Sequence, residues 1–447
     1  MCAGLAVGLG GIAALRGNPD LHASSGRVPQ TTTGAGSGAD GRTQAASPLS
    51  LPSVDEQAAR ITSAQDLLSA RVAAVRARSK SAWMATVDLP GSAFGRRQSV
   101  AFDNLIKLPL GQFSYGTVQL APALSAARAL QVGPRAWAAS ISGTYLLTGF
   151  DRAPQSFAVT YTLVQRPEGW RFTDDIDGAS ALQMWDLPGM RVLPGQSGIV
   201  IGNAPLAQMR EYGSIADSAV RRVSRVWGSD WSAHVVVVVP STTQEFANLL
   251  SRPDDEGLDQ VAAITQGFID PGQRAQGDRV VINPQAFMAL QTLGRRVVIT
   301  HELTHVAARS STTRQVPIWL AEGMADYVGY SGLDLTRQRI AAGLLAMVRS
   351  GKGPSALPTE QDFDPSRTRI APSYSASWLA VSHLVDLYGQ ARVVAFYRAV
   401  GAGSTSGPTS RLDPQAMAAL AFPRSFGVSE AQFVTGWRRY LQILSRE

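Results

Sequence analysis

Two short segments in the second half of this 447-residue chain constrain its fold more than any other feature. One reads His-Glu-Leu-Thr-His at 301–305, and the other reads Trp-Leu-Ala-Glu-Gly-Met-Ala-Asp-Tyr at 319–327. Residues four apart share one face of a helix, so His301 and His305 can direct two imidazoles at one metal ion. Glu322 is a candidate third ligand. Three protein ligands leave the fourth tetrahedral position to water, so the pattern predicts an open zinc site rather than a closed structural one.

The sequence around both segments predicts two helices. Apolar residues recur at helical spacing through 294–309, which indicates a half-buried helix of about four turns. Pro317 can begin the second helix, because its missing N–H is not needed in a first turn. On the first helix Glu302 is placed to reach a water on the metal. Asp326, four residues after Glu322, can accept the free ring N–H of a ligand histidine and fix its tautomer.

These segments resemble the zinc motifs of the gluzincin peptidases, and in particular the small peptidase MA-like domain of actinobacterial envelope proteins. The resemblance implies two ligand histidines, a downstream ligand glutamate, a general base and an orienting acid, which are respectively His301 and His305, Glu322, Glu302 and Asp326. The 16 residues between His305 and Glu322 make a shorter spacing than in the large aminopeptidases, which leaves the intervening elements open. Outside the motifs, the resemblance extends weakly over about 190–447.

The implied chemistry is hydrolysis of a peptide bond in a peptide or protein substrate. Zinc lowers the pKa of a bound water toward neutrality. Glu302 would take the proton of that water and pass it to the leaving amine. A further donor is needed for the developing oxyanion, and Tyr374 is the candidate, because gluzincins often carry a tyrosine at the start of a helix beyond the third ligand. An ordinary packed aromatic is the alternative for Tyr374, and His383 is a second candidate that is more typical of a structural histidine.

Two other interpretations remain open. His-Glu-x-x-His occurs by chance on ordinary helices, although the chain has only five histidines and two of them lie in this motif. A scaffold derived from a peptidase could bind zinc or peptide without turnover. The second alternative is a binding protein whose function lies in the N-terminal region. The zinc motifs disfavour this alternative. The substrate, endo- or exo-specificity and oligomeric state are not predicted.

Charge and cysteine content exclude some classes of function. The net charge of +7 comes from scattered arginines, and no basic run exceeds two residues. This distribution favours a solvated surface over nucleic-acid binding, with some attraction to anionic lipid headgroups. The one cysteine, Cys2, excludes an intrachain disulfide, so the fold needs none.

The N-terminal region predicts a location at a membrane. Residues 2–15 form an apolar run that is shorter than the about 20 residues needed to span a bilayer, and no basic stretch precedes it. We expect 1–16 to be a partial membrane anchor or signal remnant whose remainder lies upstream of Met1; a merely apolar tail is the alternative. Residues 17–52 read as a disordered Gly/Ser/Thr linker. The rest would then be in the cell envelope, anchored or secreted, on the extracytoplasmic side.

Residues 53–190 predict an accessory α+β domain. A helix is expected over Val54–Thr86, followed by strands at Arg97–Leu105, Gly111–Gln119, Ala136–Phe150, Ser156–Arg166 and Trp170–Asp174. Pro167-Glu168-Gly169 signals a hairpin turn. A long helix before a curved antiparallel sheet resembles the cone-shaped nuclear-transport-factor-two-like (cystatin-like) fold, whose members bind small ligands or partners.

Residues 191–447 predict a zincin-type metallopeptidase domain in which a sheet precedes a mainly helical lobe. The strands are expected at Ser197–Gly202, Val235–Val239, Val261–Thr265 and Arg279–Asn283, with a helix over Ala207–Trp227. In gluzincins the edge strand of this sheet binds extended substrate through main-chain hydrogen bonds. Arg279–Asn283, shortly before the metal-binding helix, is the expected edge.

Overall fold

The computed structural model describes residues 53–178, 180–252, 261–267, 272–364, 370–402 and 413–447. The predicted anchor (1–16) and linker (17–52) lie outside these described residues. No helix in the described part has both the length and the apolar character needed to cross a bilayer.

The first part of the chain combines helices with an antiparallel sheet, as the sequence predicts. Its four strands pair in chain order, and Pro167 and Glu168 form the turn between the third and the fourth. The strands are β1 (Leu110–Leu120), β2 (Trp137–Leu147), β3 (Gln155–Arg166) and β4 (Gly169–Asp174), and the helices are α1 (Val54–Arg76), α2 (Lys80–Met84), α3 (Ala93–Leu105) and α4 (Ala126–Val132).

Two local predictions in this part are wrong. The expected strand at Arg97–Leu105 is the second half of helix α3. The Ser92 hydroxyl accepts from the Gly95 N–H at 3.0 Å, which caps this helix, and its buried residues recur at helical spacing. The expected single helix Val54–Thr86 is divided into α1 and α2, because Ser79 adopts an extended conformation and caps the second helix.

The second sheet is mixed and has five strands in the order β5-β6-β7-β9-β8. Its strands are β5 (Arg191–Pro194), β6 (Gly198–Gly202), β7 (Val235–Val239), β8 (Ala263–Gln266) and β9 (Arg279–Ile282). The central strands β6, β7 and β9 are parallel, and both outer strands are antiparallel to their neighbours.

The prediction that Arg279–Asn283 forms the edge of this sheet is wrong. Strand β9 pairs with β7 on one side and with β8 on the other, from Ala263 opposite Ile282 to Gln266 opposite Arg279. Within the described residues, the edge beside the helix that carries His301 and His305 is therefore β8.

The rest of the second part is mainly helical. Helices α5 (Leu206–Trp227), α6 (Thr243–Leu249) and α7 (Pro284–Met288) accompany the sheet, and the helices after it are α8 (Thr292–Arg309), α9 (Ile318–Tyr330), α10 (Arg337–Ile340), α11 (Ala342–Arg349), α12 (Ala371–Tyr388), α13 (Gln390–Gly401), α14 (Pro414–Phe426) and α15 (Glu430–Leu444). The fold is thus α+β, an antiparallel sheet domain followed by a mainly helical one.

Both faces of the second sheet are buried. Val237 and Val280 belong to the large core that α5, α8 and α9 share. Val236 and Val238, which point the other way, belong to a core that also holds Phe102 and Trp185 from the first part of the chain. The first part therefore covers one face of the sheet that carries β8.

Candidate metal centre

Two buried helices carry the residues that the sequence singles out. Helix α8 is buried at every position from Val297 to Ala308, so its imidazoles face protein rather than solvent. Pro317 precedes α9 in an extended conformation, and Ile318 is the first helical residue. In α9 every residue except Tyr327 is buried.

The three predicted ligand side chains converge. His301 Nε2 lies 3.0 Å from His305 Nε2 and 3.1 Å from Glu322 Oε2. His305 Nε2 lies 3.5 Å from the same carboxylate oxygen. A four-coordinate ion with bonds near 2 Å would hold its ligands about 3.3 Å apart. These separations fit such an ion, and among the described residues this is the cluster of His, Cys, Asp and Glu that could hold one.

Asp326 orients the first histidine. Its Oδ1 lies 2.8 Å from His301 Nδ1, where it can accept the ring proton. In the neutral imidazole, this hydrogen bond selects the tautomer whose Nε2 lone pair faces His305 and Glu322. Burial opposes a charge on His301, but the hydrogen bonds with Asp326 and Glu322 outweigh it and raise the pKa of His301 to about 10.

A close helix crossing fixes the position of Glu322, the predicted third ligand. A Cβ on Gly323 would lie 2.3 Å from the Ser377 carbonyl oxygen of α12, so only glycine allows this approach. On the opposite side, a Cβ on Gly329 would lie 3.2 Å from the Val297 side chain of α8. Helix α9 is thus held between α8 and α12, and Glu322 lies directly before the tighter contact.

Glu302 has a partner that sequence reasoning missed. The Thr265 hydroxyl lies 2.7 Å from Glu302 Oε2 and 2.9 Å from the Glu302 carbonyl oxygen. Thr265 belongs to the edge strand β8 and lies 37 positions before Glu302, so no local pattern could reveal this contact. The available signal was a single polar residue on the inward face of a short apolar strand.

The two candidates for an oxyanion donor lie in different surroundings. Tyr374 is buried in a small cluster with Ile318, Phe363 and Ile370, and its ring meets Phe363 edge-on at 4.8 Å. The ring of His383 stacks on Tyr440 at 4.4 Å, in agreement with a structural role.

A comparison with protein families identifies the region that contains this centre. Residues 279–411 match the family described as the Peptidase MA superfamily. This part of the chain is a gluzincin-like peptidase domain. The match includes both metal-binding helices and α12, and it leaves 53–178 uncovered.

Other comparisons give weaker similarity. No curated protein matches the chain. The solved structures similar to it include a mutant M1 zinc metallopeptidase from Deinococcus radiodurans, with 13% identity and a TM-score of 0.34 over 73% of this chain and 61% of that one. A two-domain M1 zinc metallopeptidase mutant bound to L-arginine has 14% identity and a TM-score of 0.32 over 68% of this chain and 61% of that one. Native yeast LTA4 hydrolase has 10% identity and a TM-score of 0.29 over 76% of this chain and 60% of that one. The chain spans about three-fifths of the length of these proteins.

Proposed function

We propose that this chain is a zinc-dependent peptidase. The observation that carries the proposal is the convergence of His301, His305 and Glu322 at 3.0–3.5 Å in a gluzincin-like domain. Two imidazoles and one carboxylate are a ligand set typical of catalytic zinc, which keeps one position open. When bound, zinc would lower the pKa of a water and polarise the scissile carbonyl.

Other residues of the chain would transfer the proton, orient a ligand histidine and stabilise the oxyanion. Glu302, as general base, accepts the proton of the attacking water and delivers it to the leaving amine nitrogen. Asp326 accepts the Nδ1–H of His301 and so keeps the Nε2 lone pair directed at the metal position. Tyr374 remains the candidate donor to the oxyanion. It belongs to α12, the helix that crosses α9 at Gly323.

The edge strand β8 would bind the substrate main chain. The Asn283 N–H donates to the Ala262 carbonyl at 2.9 Å, which makes this a hydrogen-bonded pair in the antiparallel ladder with β9. Such pairs alternate, so the N–H and C=O groups of Ala263 and Thr265 point away from β9. Ala263 is fully buried and Thr265 is half-buried, so an extended peptide could pair with the groups of Thr265 by β-strand addition.

The test is a digest of a diverse peptide library by the purified protein, with and without chelator. We expect about one zinc per chain and cleavage that chelator removes. His305→Ala should lose zinc, whereas Glu302→Gln should keep zinc and lose at least ~100-fold in rate, since only the base is removed. Cleavage by Glu302→Gln at the parent rate would contradict the assigned base. A parent that binds zinc and cleaves nothing would favour the alternative, an inactive zinc-binding or peptide-binding scaffold.

We also propose that the protein acts at the cell envelope. The apolar run at 2–15 and the linker after it support this proposal, because together they would tether a folded catalytic part to a membrane. Fractionation of native cells and mapping of the mature N-terminus test it. A protein that retains Met1 and is recovered in the cytoplasmic fraction, with none in the membrane fraction, would contradict it.

A further inference from the structure

Thr265 occupies an unusual place on the second sheet. Side chains alternate between the faces of a strand, and on β8 Ala263 belongs to the core shared with α8, whereas Ile264 packs on the core of the opposite face. Thr265 therefore faces α8. The residue opposite it on β9 is the apolar Val280, and Ile282 shares that face. A hydroxyl at this position is not required by the packing of its neighbours.

The hydroxyl of Thr265 meets Glu302 at two points. One proton is available to the carboxylate oxygen Oε2, at 2.7 Å, and to the carbonyl oxygen of the same residue, at 2.9 Å. The shorter distance is typical of a strong hydrogen bond between a hydroxyl and a carboxyl oxygen. A donor that touches both the main chain and the end of the side chain limits the rotamers that Glu302 can adopt.

We propose that Thr265 is a positioning residue that holds the Glu302 carboxylate against β8, the outer strand of the second sheet within the described residues. The inference rests on the proposed peptidase function. The main-chain N–H and C=O of Thr265 point away from β9, to the side of β8 where the substrate would pair, while its side chain holds the base. One residue thus sets the distance between the docked peptide and Glu302. General-base catalysis depends on that distance because the proton must be within hydrogen-bond reach.

Two substitutions separate the hydroxyl from the shape of the side chain. Thr265→Val keeps the volume and removes the donor, whereas Thr265→Ser keeps the donor. We expect Thr265→Val to lower kcat by about tenfold or more, with KM within about twofold of the parent, because orientation of the base is lost and main-chain pairing is kept. Thr265→Ser should restore kcat to within about threefold. Zinc content should stay unchanged in both variants.

Thr144→Val is the matched control. Thr144 is a strand residue of the first sheet whose hydroxyl bonds the Ser114 hydroxyl at 2.9 Å, remote in sequence from the centre. We expect this variant to keep the parent kcat and KM. A fall in kcat equal to that of Thr265→Val would mean that loss of any half-buried strand hydroxyl suffices, and it would overturn the inference.

Crystal structures of the two Thr265 variants give a readout that does not need activity. The Glu302 carboxylate should leave its position in Thr265→Val and keep it in Thr265→Ser. An unmoved carboxylate in Thr265→Val, a parent-like kcat in that variant, or equal losses in both variants would each overturn the positioning role. A parent protein that binds zinc and cleaves no peptide would instead contradict the proposed function, and the crystal structures would still decide whether Thr265 positions Glu302.

Discussion

Asp151 and Arg279 form a buried ion pair between the two parts of the chain. Arg279 Nη1 lies 2.6 Å from Asp151 Oδ1, and Nη2 donates to Oδ2 at 2.8 Å. The Asp151 side chain is fully buried, and that of Arg279 is 8% exposed. Asp151 follows β2 of the first sheet, and Arg279 begins β9 of the second. The pair therefore ties the accessory part to the strand that supports the edge β8.

Breaking this pair should destabilise the whole protein. Asp151→Leu leaves the Arg279 charge buried without its partner, and we expect a loss of about 3–5 kcal/mol in the free energy of unfolding. Replacing both residues, in Asp151→Leu with Arg279→Met, should recover most of that loss because no charge stays buried. Urea denaturation measures both. Equal losses in the single and double variants would show that the charge pair is not the cause.

The shared core predicts that the second part does not fold well alone. Ile199, Ile201, Val236, Val238 and Val281 pack on a core that includes side chains from the first part. A fragment of 191–447 would expose this apolar face, so we expect it to aggregate or to lose cooperative unfolding. Size-exclusion chromatography and thermal unfolding of the fragment test this. A monomeric fragment with the parent melting temperature would instead support two separable domains at the boundary that the sequence suggests.

Asp326 should control metal affinity more than fold. Asp326→Ala removes the acceptor of the His301 Nδ1–H, and we expect zinc affinity to fall by about 10–100-fold. Asp326→Asn keeps an acceptor oxygen, so its loss should be smaller. Competition with a chromophoric chelator measures both affinities. Parent-like affinity in Asp326→Ala would remove the orienting role from this residue.

Gly323 offers a steric test of the helix crossing. In Gly323→Ala the new Cβ would lie 2.3 Å from the Ser377 carbonyl oxygen, so α9 and α12 must separate. We expect a loss of about 1–3 kcal/mol in stability, with weaker zinc binding because Glu322 moves. Gly343→Ala in α11 is the control, since no atom lies within 4 Å of the place that its methyl group would take, and it should be neutral or stabilising by up to ~1 kcal/mol.

The raised pKa of Asp186 should make the stability of the first part depend on pH. Burial raises the pKa of Asp186 to about 7, although its hydrogen bond from the Gln183 N–H lowers it. A carboxyl with a raised folded-state pKa contributes stability that is full below about pH 4 and is lost as pH rises through about 7. Asp186→Asn keeps the shape and the acceptor without the charge. From pH 5 to pH 8, the free energy of unfolding of this variant should rise by about 1–3 kcal/mol relative to that of the parent. This is less than the full pKa shift would give, because Asp186 is only half-buried and solvent screens its charge.

Chemical denaturation of parent and Asp186→Asn at both pH values measures this difference. A difference between the two proteins that does not change with pH would contradict the raised pKa of Asp186.

Local patterns predicted most of the elements, and contacts between distant segments account for the errors. The valine run at 235–239 and the helix that carries His301 and His305 are specified by their own sequences. The edge of the second sheet is not, because it depends on where 263–266 pairs. The role of Thr265 depends on the same pairing, so its own sequence does not reveal it. Helix α3 resembles a strand in its second half because its serine cap lies well before that stretch.

The glycine at 323 has a consequence for the interpretation of related sequences. The close approach of α9 to α12 leaves no room for a side chain at this position, and this steric requirement does not depend on peptide cleavage. A relative that lost Glu302 could keep Gly323 and the ligand triad and still fold in the same way. Retention of Glu-Gly at 322–323 therefore reports the architecture of the centre, whereas Glu302 together with Thr265 would report its turnover.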